Sequence, residues 1–208
     1  MVGALVSWIP VIGLLGGLAS LVGAILVILG RGAFGANHAR NVGIAIVLFI
    51  IGIIGGLVVA GGFLSTIYSA VNLPAGEAGP AIASAFDGLL LGAIVLGLIS
   101  GLAGVFFLYE LLNLEGRILI WASYLVGVGV QFLVYALISS QVSSAINNAF
   151  SGTPPDIAPL IALDNQINSL RLLSVIPSLL SAGAAYVAWS RIEQGEIPGR
   201  RPPTWEVR

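Results

Sequence analysis

Long stretches of this sequence carry no charge, and this constrains the fold more than any other feature. From Val42 to Gly76 the only ionisable side chain is Tyr68. Apolar residues make up 58% of the chain and charged residues 8%, which is too much apolar surface for a soluble domain to bury. In lipid the backbone must satisfy its own hydrogen bonds, so only helices or closed barrels can cross. The apolar runs are unbroken rather than alternating, and they therefore predict an all-α, polytopic helical bundle in a membrane.

Five segments of the chain are long and apolar enough to cross the hydrocarbon layer, which needs about 20 residues. They are residues 10–30, 42–64, 88–109, 118–138 and 172–189. They predict one transmembrane domain over residues 1–192, followed by an extended cytoplasmic tail over residues 193–208. Pro177 is expected to kink the fifth span, because proline lacks a backbone donor and crowds the preceding turn. No positive charge precedes the first apolar run, which favours an uncleaved first span over a secretory signal.

The positions of the basic residues predict the orientation. All eight basic residues are arginines, and only Arg171 lies outside the segments that follow spans one, three and five. Because arginine is enriched on the cytoplasmic side, the N-terminus is predicted outside the cell membrane and the C-terminus inside. Aromatic side chains lie near the predicted membrane boundaries, as interfacial belts require: Trp8, Tyr68 and Phe86 on the outer side, and Tyr109, Trp121, Tyr186 and Trp189 on the inner side.

Two segments on the predicted outer side continue the helices beyond the membrane. The first ends at a break over Asn72–Gly76. In the second, Val142, Ile146 and Phe150 are spaced by four residues, which indicates a helix that continues span four as far as Phe150. A helix from residue 118 to 150 would be about 50 Å long, against a hydrocarbon layer of about 30 Å. We therefore expect helical hairpins above the outer face, with helices lying flat on the membrane as the alternative.

Several residue types are missing, and their absence excludes whole classes of site. The chain has no cysteine and a single histidine, which excludes disulfides, thiolate metal sites and bis-histidine haem from this chain alone. It has no lysine, so a Schiff base and a P-loop lysine are excluded as well. The net charge of −1 gives no reason to expect a nucleic acid as partner. We predict a protein that is not an enzyme and needs no cofactor or metal.

Small residues spaced by four mark helix faces that allow close approach of a second helix. Gly52 and Gly56 lie on one face of span two, and Gly97 and Gly101 lie on one face of span three. Such a face can contact another copy or another membrane subunit, or it can pack within the bundle. Span three carries glycines on more than one side and is predicted to lie at the centre of the bundle.

Two sets of polar residues are candidates for a functional role. Gln131 is the one strongly polar side chain in the middle of a predicted span. It could hydrogen-bond across helices, line a polar pathway, or bond to a backbone carbonyl. The second set lies on the predicted inner side, where a histidine beside carboxylates can accept a proton or sense pH. The alternative is an ordinary group of interfacial salt bridges. This inner-face set comprises His38, Arg40, Glu110 and Glu115.

Part of the sequence resembles a known group of proteins. The run from Phe107 to Arg117 leads directly into an apolar span, and it is similar to a pattern in a family of uncharacterised archaeal multi-span membrane proteins. In that family a Tyr-x-Leu boundary precedes a glycine-rich helix. The segment from Gly30 to Asn41 adds to the likeness, which covers about half of the chain. The resemblance implies an archaeal source and a helical membrane fold, and it implies no activity.

Two functions remain open at the level of the sequence. The first is an integral membrane protein that acts through helix–helix contacts, either as a homo-oligomer or as an accessory subunit of a larger membrane complex. The second is a small channel or transporter for an uncharged or weakly polar solute. The second function needs a polar path, to which Gln131 is the only deep contributor.

Overall fold

The described part of the chain is helical throughout. The computed structural model describes residues 23, 25–70, 72–150 and 158–197, and no strand occurs among them. The short apolar helix α1 spans Ile25–Phe34 and finishes in a 3-10 turn. The remaining helices are α2 (Ala36–Ala70), α3 (Ala75–Leu108), α4 (Leu114–Ala149), α5 (Ala158–Leu170) and α6 (Val175–Glu193). The predicted all-α class is confirmed.

Four helical segments are long and apolar enough to cross a membrane. Three of them are α2, α3 and α4, and the fourth is the run from α5 through the 3-10 turn Arg171–Ser174 into α6. The predicted spans two to five each lie within one of these segments. The predicted first span, residues 10–30, falls mostly outside the described residues. By the length and composition of these four segments, the protein is an integral membrane protein.

The helices are longer than the spans that they contain. With 35 residues in α2 and 36 in α4, each is about 50 Å long, well beyond a hydrocarbon layer of about 30 Å. The predicted break after α2 is present, as a turn in which the amide of Asn72 donates to the carbonyl of Ser69 at 3.2 Å. The predicted extension of span four is present as well, since α4 ends only at Ala149. The side of the membrane on which these extensions stand remains a prediction.

Pro177 lies in the first turn of α6, directly after the 3-10 turn Arg171–Ser174. Proline is tolerated in a first turn because the backbone donors there have no partner within the helix. The sequence predicts that Pro177 kinks the helix. The irregularity lies in the residues before it, where the 3-10 turn Arg171–Ser174 gives way to the α-helix that begins at Val175. The carbonyl of Pro177 accepts a hydrogen bond of 2.7 Å from the hydroxyl of Ser123, which ties α6 to α4.

The chain divides into two compact units, and the three long helices α2, α3 and α4 contribute to both. The first unit takes in the described residues up to Leu48, together with Gly101–Val126 and the described residues from Val175 onward. It contains two apolar clusters. One comprises Val105, Leu111, Leu112, Ile120, Ala184 and Ala188, and the other Val42, Ala45, Ala103 and Phe107.

The second unit comprises Phe49–Ser100 and Gly127–Ser174. Its core is formed where α3, α4 and α5 meet. The buried residues of that core are Ala83, Ile138, Val142, Ala145, Ile146 and Leu163. Phe63 of α2 makes an edge-to-face contact with Phe86 of α3, with ring centroids 5.4 Å apart.

The end of α6 is fixed by a glycine cap in the first unit. Gly195 has φ +72°, a left-handed conformation that glycine adopts without strain. The amide of Glu196 donates to the carbonyl of Arg191 at 3.0 Å, and the amide of Gly195 donates to that of Ile192 at 3.1 Å. These two bonds define a Schellman motif. Helix therefore stops near the predicted start of the tail at residue 193, and residues 198–208 of the predicted tail lie outside the described residues.

Candidate functional site

Glu110 is the centre of a polar cluster in the first unit. Its Oε1 accepts a hydrogen bond of 3.3 Å from Nδ2 of Asn41, and its Oε2 lies 3.8 Å from Nη2 of Arg117. The guanidinium of Arg117 also stacks over the ring of Tyr109, with 4.4 Å to the centroid, and donates from Nε to the carbonyl of Tyr109. Glu110 lies in the 3-10 turn Tyr109–Leu111, and its carboxylate therefore connects this turn to α2 and to the start of α4.

His38 lies next to this cluster and is only 1% exposed. Its ring packs edge-to-face on Phe34 at 5.4 Å between centroids. Neither ring nitrogen has a hydrogen-bond partner among the described residues. An imidazole in that state makes an apolar contact but leaves two polar atoms without compensation, which costs stability rather than adding to it.

The structure does not bring Arg40 and Glu115 into the cluster. Both side chains are exposed, and neither makes a hydrogen bond or an ion pair with a residue in the described part of the chain. The predicted inner-face set therefore separates into a bonded core around Glu110, an adjacent buried histidine, and two solvated charges. The geometry of the bonded core is that of a salt bridge with a supporting amide.

The glycines of α2 pack against α3 in the second unit. A Cβ at Gly52 would lie 3.0 Å from the hydroxyl of Ser100, and one at Gly55 would lie 2.7 Å from Leu96. Gly56 faces the same leucine at 3.9 Å. Leucine and serine side chains of α3 thus occupy the space that these glycines leave open. The face that contains Gly52 and Gly56 therefore packs against another helix of the same chain.

Gly97 and Gly101 of α3 face α4. A Cβ at Gly97 would overlap the amide group of Gln131 in the second unit. In the first unit, a Cβ at Gly101 would lie 2.9 Å from the ring of Tyr124. Since α3 also meets α2 in the second unit, where a Cβ at Gly92 would lie 2.7 Å from Val59, α3 makes close contacts on two sides.

Gln131 makes none of the hydrogen bonds that the sequence suggested. Its Oε1 is buried and has no partner among the described residues, and its Nε2 makes no bond to them either. Instead the side chain lines a cavity of about 350 Å³ within the second unit. The walls are mostly apolar, and the polar residues on them are Gln131, Tyr135, Arg171 and Ser174.

Two polar contacts near this cavity were not predicted from the sequence. The hydroxyl of Tyr135 donates to the carboxylate of Asp87 at 3.3 Å, and the hydroxyl of Ser174 donates to the carbonyl of Arg171 at 2.6 Å. Arg171, which lies directly before predicted span five, is exposed and lines the same cavity as Gln131.

Comparison with known proteins gives no relative from which to transfer a role. No family model, no curated protein and no solved structure matches this chain. The resemblance to archaeal multi-span proteins therefore stays a prediction. Within the described ranges, no group of three histidine, aspartate or glutamate side chains is placed to hold a metal ion.

Proposed function

We propose that this integral membrane protein is not an enzyme and acts through helix–helix contacts, by assembling with further copies of itself. The observation that supports the proposal is the exposed face of α2. Val47, Ile50, Ile54, Leu57 and Val58 follow one another at helical spacing, and each is about half exposed or more. This face points away from the glycine side that packs on α3.

The same face continues into small residues that lipid alone does not explain. Gly61 and Ser65 are exposed, and no described residue lies within 4 Å of a Cβ at Gly61. Glycine costs a helix about 1 kcal/mol relative to alanine. A helix that only faced lipid would gain nothing in return, whereas a neighbouring helix could approach closely at this point.

A second copy of the chain is the partner that fits this face. No charged residue lies on α2 between Val42 and Ala70, so the surface presents neither sign for a charged partner to recognise. A flat patch at Gly61 and Ser65 beside the larger Leu57 and Val58 is complementary to itself when two copies cross at the small residues.

The proposal is tested by measuring the mass of the purified protein in detergent and in nanodiscs. We expect a concentration-dependent dimer for the parent protein. Gly61→Leu should weaken the association about tenfold or more, equivalent to about 1.4 kcal/mol. The matched control is Gly129→Leu on α4, because Gly129 is also exposed and also has nothing within 4 Å of its Cβ position.

Three results would contradict the proposal. A monomeric parent protein at every concentration would exclude self-assembly. Equal effects of Gly61→Leu and Gly129→Leu would show that the α2 face is not the contact. A stable complex with a different subunit, or solute-selective flux by a monomer in liposomes, would favour an accessory subunit or a transporter instead.

A further inference from the structure

We infer that the cavity of the second unit binds an amphipathic carboxylate, a small molecule with one aliphatic chain and one anionic end. This inference concerns a different surface from the proposed α2 contact and does not depend on it. It rests on two observations. The walls of the cavity are apolar, and the hydrogen-bond donors without a partner on these walls belong to one arginine and one amide.

The walls come from three helices and suit an aliphatic chain. The apolar lining residues are Leu90, Ala93, Ile94, Val130, Val134, Ile167 and Leu170. The volume of about 350 Å³ lies near the lower limit for small-molecule sites, which range from about 300 to 1,000 Å³. A cavity of this size can hold a single aliphatic chain.

Gln131 supplies one set of bonding groups to this cavity. Its Oε1 has no partner although it is buried, and a buried polar group without a bond costs about 1–3 kcal/mol. Gly97 is the residue that leaves room for this amide, since any side chain there would overlap it. Because Oε1 is buried against Gly97, the amide offers its NH₂ group rather than its carbonyl to a ligand.

Arg171 supplies the charge. Its guanidinium makes no ion pair or hydrogen bond with any residue that the structure describes. The carboxylate of Asp87 accepts a hydrogen bond from the hydroxyl of Tyr135, which lines the cavity, and is not within 4.0 Å of an arginine. Arg171 is exposed although it lines the cavity, so its guanidinium is accessible to an anionic ligand.

A carboxylate satisfies both groups at once. Arginine binds carboxylates through two parallel N–H donors, and the amide NH₂ of Gln131 can donate to the same anionic end. A cation would be repelled by Arg171. A neutral alcohol could bond to Gln131 but would leave the guanidinium without a counter-charge. The aliphatic chain then lies along the apolar walls.

The test is equilibrium binding of radiolabelled decanoate to the purified full chain in zwitterionic nanodiscs, after subtraction of binding to empty discs. Decanol is the matched ligand, since it has the same chain without the carboxylate. We expect saturable decanoate binding at one molecule per chain, with decanol at least tenfold weaker. Arg171→Gln should remove this preference, whereas Arg31→Gln, an exposed arginine outside the cavity, should retain it.

Further variants separate the contribution of the amide and the source of the ligand. Gln131→Leu should weaken both ligands, because leucine places an apolar group where the amide stood. If Arg171→Gln does not fold, the ratio of decanoate to decanol binding in the parent protein still decides the question. Equal binding of the two ligands, or no saturable binding above empty discs, would overturn the inference. Loss of decanoate binding when the zwitterionic nanodiscs are replaced by discs of anionic phospholipid would overturn it too, since a lipid headgroup would then be the occupant.

Discussion

A buried histidine beside a carboxylate does not need to be a functional group, and His38 shows why. Its ring contacts Phe34 and is almost fully buried, yet both nitrogens lack a partner among the described residues. Replacing such a residue with an apolar one of similar volume removes two polar atoms that gain nothing from folding.

We therefore expect His38→Leu to leave the free energy of unfolding unchanged or to raise it by up to about 1 kcal/mol. Asn41→Leu is the matched variant, because Asn41 is also buried on α2 but donates to Glu110. It should lower the free energy by about 1 kcal/mol. Thermal unfolding in detergent ranks the two variants. An equal loss in both would mean that the imidazole of His38 has a bonding partner after all.

The glycines of α3 differ from one another in what a side chain would meet. Gly97→Leu would push the amide of Gln131 aside and Gly101→Leu would meet the ring of Tyr124, so each should cost about 1–3 kcal/mol through overpacking. Gly88→Leu has open space around it and should be neutral or slightly stabilising, because leucine is the better helix former. The same unfolding measurement checks this order. Three similar values would show that α3 makes no close contact at Gly97 or Gly101.

The sequence predicted which residues share a helix face but not what each face meets. The four-residue spacing of Gly97 and Gly101 follows from helix geometry alone. That one faces an amide and the other an aromatic ring depends on the register of α4, which no pattern within α3 contains. The same limit explains Arg171. Its place before predicted span five does not reveal that it lines a cavity together with Gln131, because that depends on how two helices are aligned.

At the scale of elements, the end of α6 is defined more tightly than the sequence indicated. Gly195 is left-handed, and the amides of Gly195 and Glu196 donate the two capping bonds. Arg191 pairs with Glu196 at 2.9 Å and donates to the carbonyl of Leu111 at 3.1 Å. Ile197 then packs against the apolar cluster of the first unit. Arg191 and Ile197, on either side of the cap, therefore connect the end of α6 to the 3-10 turn before α4 and to its apolar cluster.

Gly195→Ala should lower the free energy of unfolding by about 1–2 kcal/mol, the cost of a left-handed conformation for an L-residue with a side chain. Gln194→Ala, one residue earlier and exposed, should change it little. A chain that ends after Ile197 should unfold at the parent temperature, whereas one that ends after Gln194 should not, because it lacks the cap and Ile197. Circular dichroism during heating measures the unfolding temperature of the two variants and of the two shortened chains. Full stability of the shorter chain would show that the cap is dispensable.

The lengths of the helices show what a count of apolar residues can and cannot predict. Such a count detects the part of a helix that hydrocarbon requires, about 20 residues. Predicted spans two to five lie within α2, α3, α4 and the run from α5 to α6. The count gave shorter limits than the helices have, since α2 and α4 continue over serine, threonine and asparagine residues for as long as the backbone bonds can propagate. Polar residues of this kind do not stop a helix unless a proline or a turn signal follows.

At the scale of the whole molecule, the structure makes the predicted topology open to a sharp test. From the turn Asn72–Pro74 to Gln194 the chain passes through α3, α4 and the run from α5 to α6, which are three candidate spans. An odd number of crossings places the two ends on opposite sides of the membrane, whatever the path of the residues before α2. The arginine distribution adds the direction, with Gln194 on the cytoplasmic side.

Single introduced cysteines can test both the number of crossings and the orientation, because the chain contains no cysteine of its own. Gly76→Cys and Gln194→Cys are suitable, since both residues are exposed and neither glycine nor glutamine there supports a buried contact. In intact cells an impermeant maleimide should label Cys at position 76 and spare Cys at position 194, and both should react once the membrane is permeabilised. Labelling of position 194 alone would keep the three crossings and reverse the orientation. Labelling of both in intact cells would mean an even number of crossings between them, so that one of the three segments does not span the membrane.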